Sequence, residues 1–226
     1  YEELKHSESK RQLYRTAITR VVKTLIDKAK VSSIALPSIQ PGDALLLVNN
    51  RGTIMHASAV ALNLARRLGM QLIYDVAHNI AKVERYRDGE WLVHRKGATR
   101  AFGPGSPELP ACYRGIGQPV ICGGPMETGS YLLVGTDRAM QETFGSTMHG
   151  SGRTMSRAQA KRTVRGEQLM RDMKQHGILV KAVSMSGLAE EAGFAYKNIS
   201  DVVETVDHAG ITKKVAELKP IGNIKG

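Results

Sequence analysis

Cysteine is nearly missing from this chain. Its 226 residues include only Cys112 and Cys122, without Cys-x-x-Cys spacing. That excludes a disulfide framework or a cysteine-rich zinc site and predicts a reducing, intracellular setting. Long apolar runs are missing too. None approaches the roughly 20 residues needed to cross a bilayer, and the opening residues are no signal sequence, so no membrane partner is expected. A start at Tyr1 predicts a fragment or a processed chain. Aromatics make up 5%, too few to interleave with basic residues for base stacking. Acid is scarce as well: 21 Asp and Glu against 32 Lys and Arg leave a net charge of +11. Polyanions are the natural partners of such a surface, held through phosphate.

What is present suits a folded chain. Hydrophobic residues at 42% can build a substantial core. Leu13, Ala17, Val21 and Leu25 recur at helical spacing, which predicts an amphipathic helix over 9–30. A short apolar run over 44–48 reads as a strand or a helix start, and 53–68 as a helix closed by Gly69. Residues 71–76 read as a buried strand. Residues 82–86 and 90–94 alternate around Asp88-Gly89, a hairpin signal. A Gly- and Pro-rich loop is expected over 103–117, strands at 118–122 and 130–134, and a long basic helix running to about His176. A strand at 178–183 precedes short helices and a terminal tail. No repeat or linker divides the chain, so one α+β domain with long functional loops is expected.

The stretch Phe144-Gly145-Ser146-Thr147-Met148-His149-Gly150-Ser151-Gly152-Arg153-Thr154-Met155-Ser156-Arg157 organises the rest. Gly150 and Gly152 permit positive φ and let an anion approach backbone N–H groups. Arg153 and Arg157 stand four apart, which predicts that both reach one phosphate-rich ligand. A neutral imidazole at His149 is a competent nucleophile. The plainer reading is a solvent-exposed loop capping a basic helix. At a predicted strand end, His78 could bind a transition metal or simply be hydrogen-bonded in the fold. Lys96 and Arg100 could clamp phosphate or belong to a solvated basic face. The loop 123–130 could present N–H groups, Thr128 and Ser130 to a triphosphate, although ordinary tight turns use the same residues.

Together these residues resemble the RtcB family of RNA-splicing and repair ligases. The resemblance runs through Tyr74-Asp75-Val76-Ala77-His78-Asn79-Ile80-Ala81-Lys82-Val83-Glu84, then His94-Arg95-Lys96-Gly97-Ala98-Thr99-Arg100-Ala101-Phe102. It continues in Gly117-Gln118-Pro119-Val120, over 128–135 and 142–157, in Glu190-Glu191 with Ala195-Tyr196-Lys197, and at Ile224-Lys225-Gly226. It is strong over 49–226 and weak over 1–48. It implies mixed sheets with flanking helices and long active-site loops. It also implies a GTP- and Mn2+-dependent ligase, cytoplasmic, in which His149 takes GMP and passes it to an RNA 3′-phosphate (or a 2′,3′-cyclic phosphate) for attack by a 5′-hydroxyl. Under it Asn79, Met126, Thr128, Ser130, Gly150, Ser151, Gly152, Tyr196 and Lys225 bind GTP. Lys96, Arg100, Arg153 and Arg157 contact RNA phosphate, and His78 with His6 binds metal. The implied partners are tRNA exon halves and an archease-like activator.

The sequence departs from the family pattern at Pro125 (usually Ser or Thr), Glu127 (Gly), Met148 (Cys) and Gly193 (Pro). The family's upstream Asp/Cys and Asn-His metal elements have no counterpart here. An upstream segment or a second chain is therefore expected to complete the metal site. A non-catalytic descendant that binds GTP or RNA, and a metal-dependent phosphoesterase using His78, are the alternative readings.

Overall fold

The computed structural model describes residues 44–49, 54–58, 70–76 and 79–225. The expected helix over 9–30, His6, Gly69 and His78 lie outside them. The described residues form an α+β fold of several small sheets with flanking helices, as expected.

Strands β1 (Ala44–Asn49), β2 (Ile54–Ser58) and β3 (Met70–Val76) make an antiparallel sheet in the order β2-β1-β3. The helix expected over 53–68 is thus a strand at its start. Pairing of Val48 with Ile54 and of Leu46 with His56 overrides the helical spacing. β4 (Asn79–Tyr86) and β5 (Gly89–Lys96) form the expected hairpin, closed by the pair Tyr86↔Gly89. β6 (Ala98–Arg100) follows at once. β7 (Pro119–Gly123) and β8 (Ser130–Gly135) pair antiparallel, and α1 (Asp137–Glu142) is capped by Thr136 accepting from the Ala139 N–H.

After β9 (Ser146–Met148) the expected long basic helix is two: α2 (Arg157–Thr163) and α3 (Gly166–Gln175). Val164 between them is extended (φ −137°, ψ 147°) and packs on the core, so an apolar contact interrupts the basic stretch. β10 (Leu179–Ala182), α4 (Met185–Glu190) and α5 (Ile199–His208) follow. The expected terminal tail is instead two strands. β11 (Thr212–Leu218) joins the edge of β8, and β12 (Gly222–Lys225) runs parallel to β10.

Apolar residues collect in separate clusters. Leu169, Met173, Ile178, Val180, Leu188 and Ala192 fill the space between α3, β10 and α4. Val120, Cys122, Leu133, Ile199 and Val203 join the β7–β8 sheet to α5. Burial pushes the Cys122 thiol up to about 12, so it is packing rather than chemistry. Among the described residues no helix is long and apolar enough to cross a membrane.

Candidate active site

β6 and β9 are short and pair antiparallel, Ala98 with Met148 and Arg100 with Ser146. One step beyond the Ala98–Met148 pair, Gly97 comes opposite His149. The His149 Nδ1 lies 2.8 Å from the Gly97 carbonyl oxygen. A carbonyl can only accept, so Nδ1 carries a proton in this bond, and in the neutral ring the lone pair falls to Nε2. The strand pairing therefore selects the tautomer.

A second clamp holds the backbone of the same residue. The Gly123 N–H donates to the His149 carbonyl (3.0 Å), and the Ser151 N–H donates to the Gly123 carbonyl (2.9 Å). Gly150 sits in this clamp, where a Cβ would fall 2.9 Å from the Gly123 oxygen. Of the two glycines expected to permit a positive φ, Gly152 adopts one, at φ +73°, and Gly150 does not. Gly150→Ala is expected to cost about 1–3 kcal/mol, because the blocking atom is backbone. Urea denaturation measures it, and a change within about 0.5 kcal/mol would mean that the two segments separate without strain.

The hairpin is bolted to the segment entering β9. Arg95 and Glu84 are both 2% exposed and form a bidentate pair at 2.7 Å on each arm. Arg95 also donates from Nε to Ser146 Oγ (2.8 Å) and from Nη2 to the Phe144 carbonyl (2.7 Å). Burial alone would raise the Glu84 carboxyl. Hydrogen bonds from Arg95 and Tyr86, with the charges of Arg95 and Arg100, outweigh it and hold the group below its ordinary range.

The two arginines of the central stretch do different work. Arg153 is tied inward: Nε donates to the Met155 carbonyl (3.1 Å), Nη1 to the Tyr196 hydroxyl (2.8 Å) and Nη2 to the Glu190 carbonyl (2.8 Å). Its guanidinium stacks 4.6 Å from the Tyr196 ring centroid. Arg157 is exposed, beside Glu190 and Glu191. Tyr196 in turn donates to Glu191, and burial followed by that bond raises its hydroxyl pKa. Lys96 and Arg100 divide in the same way. Lys96 is exposed, whereas Arg100 bonds Gln118 (3.1 Å), Glu108 (2.8 Å) and Tyr74 (3.3 Å) and lies over Phe102. Arg153 and Arg100, expected at phosphate, each also tie neighbouring segments together through three of their five N–H donors.

The loop 123–130 also turns inward. Its N–H groups at Gly124, Thr128 and Gly129 donate to Ser130 Oγ (3.2 Å) and, twice, to the Pro125 carbonyl (3.3 Å each). Met126 puts its side chain in the core, and its carbonyl accepts from Asn223 Nδ2 (3.1 Å). Thr128 is exposed and Ser151 buried. A cleft of about 180 Å³ lies between this loop and β12, lined by Ser130, Gly129 and Asn223. Asn79 pairs through its backbone with Lys96, and Lys225 with Ala182.

Two of the sequence departures meet. Glu127 Oε1 accepts the Gly193 N–H (2.8 Å), and a Cβ on Gly193 would lie 2.7 Å from Oε2. A proline at 193 would lack the N–H and crowd the carboxylate, so Glu127 and Gly193 suit each other. Sequence reasoning missed the Gly97 acceptor, the Gly123 clamp and the ion pairs of Glu190 and Glu191. None of these carries a local motif. Among the described residues no three His, Cys, Asp or Glu side chains gather to hold a metal.

Comparison with known proteins gives a consistent answer. A family model described as tRNA-splicing ligase RtcB matches residues 47–226. The tRNA-splicing ligase RtcB of Archaeoglobus fulgidus is 59% identical over 163 residues, covering 70% of this chain and 34% of that protein. The proteins of the same name from Pyrococcus furiosus and Methanopyrus kandleri are 55% and 54% identical, also over 70% of this chain, of which each match spans 17% of the relative. The chain thus spans about a third of the Archaeoglobus protein's length or less of the others. With a match over most of its length, and with the central histidine stretch inside that match, the chain belongs to the RtcB family.

Proposed function

We propose that this chain is a catalytic portion of an RNA ligase that joins RNA 3′-phosphate or 2′,3′-cyclic phosphate ends to 5′-hydroxyl ends, in tRNA splicing or RNA repair. The observation that carries the reading is the His149 Nδ1 bond to the Gly97 carbonyl, in a family whose relatives bear the name tRNA-splicing ligase. In the proposed first step the Nε2 lone pair attacks the α-phosphorus of GTP, the bond to the bridging oxygen breaks, and pyrophosphate leaves. Nδ1 keeps its proton, and the Gly97 carbonyl faces the positive charge that grows on the ring. Where the RNA end is a 2′,3′-cyclic phosphate, water first breaks the phosphorus–O2′ bond to leave a 3′-phosphate and a 2′-hydroxyl; a 3′-phosphate oxygen then takes the GMP from His149. Attack by the 5′-hydroxyl on that 3′-phosphate expels GMP and closes the phosphodiester.

GTP and Mn2+ are part of the proposal. The described residues do not make a metal site by themselves, so any protein ligands would include His78 or an upstream segment. The remaining proposed partners are tRNA exon halves and an archease-like activator. A second reading, reversible binding of GTP without catalysis, draws on the cleft between the loop 123–130 and β12. Incubation with α-labelled GTP and Mn2+ separates the two. Covalent label supports the ligase, whereas saturable but dialysable label supports the binder.

A further inference from the structure

Along α2, Arg157 and Lys161 are one helical turn apart and so share a face. Both lean on the same carboxylate. Lys161 Nζ pairs with Glu190 Oε1, and Arg157 Nε lies 3.6 Å from Glu190 Oε2 and 3.5 Å from Glu191 Oε1. The arginine contacts are longer than hydrogen bonds. The cationic side chains remain 65% and 41% exposed, whereas that of Glu190 is only 23% exposed. Arg153, three residues before the helix cap Ser156, spends three of its five N–H donors on the fold instead.

A phosphate diester and a carboxylate are both oxyanions, and two cations one turn apart suit either. We propose that Arg157 and Lys161 together bind one RNA backbone phosphate, and that Glu190 is a built-in anion which occupies the place until RNA displaces it. The inference rests on the RNA-ligase reading and adds to it a residue, Lys161, and a competitor, Glu190. Exposed ion pairs are weak, so the exchange is easy in both directions. Glu190 thereby caps RNA affinity and favours release of the strand. A chain carrying +11 would otherwise hold any polyanion indiscriminately.

The test uses the full chain and a labelled single-stranded RNA ending in a 3′-phosphate, with Kd measured across a salt series. Lys161→Ala should weaken binding and reduce the log–log salt slope by about 0.7, the share of one phosphate contact on a single strand. Glu190→Gln should tighten binding about threefold, the scale of one exposed ion pair. Glu204→Gln on α5 makes the same charge change at an exposed site and should leave Kd unchanged. An unchanged slope in Lys161→Ala, or a Glu190→Gln that binds no tighter than Glu204→Gln, overturns the proposal. So does a wild-type chain that binds no RNA. Because Lys161 is exposed, its arm decides the matter even if Glu190→Gln fails to fold. Labelling of the wild-type chain with GMP in the absence of RNA reports the ligase reading separately. Label with no Lys161 effect on RNA sinks the inference alone. The Lys161 and Glu190 effects without label support it while the ligase reading fails.

Discussion

His149→Ala should leave a folded protein that takes up no GMP. The side chain is half-buried in a loop held mainly by backbone bonds, among them Gly123 N–H to the His149 carbonyl and Ser151 N–H to the Gly123 carbonyl. Truncation keeps both and loses the Nδ1 bond to Gly97, worth about 0.5–1.5 kcal/mol. The chemical effect is far larger, since no lone pair remains at the position of Nε2. Adduct formation should fall by at least about a thousandfold, as when a covalent nucleophile is removed elsewhere. The measurement is retention of α-labelled GMP after denaturing electrophoresis, with acid and hydroxylamine lability as the signature of a phosphorus–nitrogen bond. Wild-type labelling in His149→Ala would place the nucleophile on another residue.

Local signals made much of the fold legible. Alternation around Asp88-Gly89 located the β4–β5 hairpin, and apolar runs located β7, β8 and β10. The central histidine was legible from its glycines and basic residues, and the family resemblance agrees with the match over 47–226. What escaped depends on contacts between residues distant in sequence. The run His94-Arg95-Lys96-Gly97-Ala98-Thr99-Arg100 reads as one basic patch, yet β-sheet alternation buries Arg95 and Thr99 and leaves Lys96 outside. Gly97 serves through its carbonyl, and a carbonyl is the same in every residue type. Arg153 and Arg157 look equivalent at a spacing of four, but Arg153 precedes the helix that Arg157 opens, so helical geometry never applied to the pair. Glu127 and Gly193 each look like a loss when taken alone. Only their contact shows that one accommodates the other.

Arg95→Met should be the most destabilising single change in the hairpin. It leaves the Glu84 carboxylate buried without its bidentate partner, a loss of about 3–5 kcal/mol. The double variant Glu84→Leu/Arg95→Met should recover much of this, because replacing both members of a buried pair by apolar groups is often nearly neutral. Acid gives the confirming sign. In the wild type the folded carboxyl is depressed, so its stabilisation is complete above the ordinary carboxylate range and fades as pH falls through the lowered value. In Arg95→Met the burial effect stands with its chief opponent gone and raises the group. The variant then gains relative stability on acidification, and its deficit at pH 7 narrows toward about pH 4. Urea denaturation at both pH values measures this, and a deficit independent of pH would mean that Glu84 is not the group left exposed to the loss. The consequence reaches the site through Ser146 Oγ and the Phe144 carbonyl, both held by Arg95. These residues lead into β9, whose pairing with β6 sets Gly97 against His149. GMP labelling should therefore fall in Arg95→Met even at temperatures where the variant stays folded, and recover only as far as the double variant restores the position of β9.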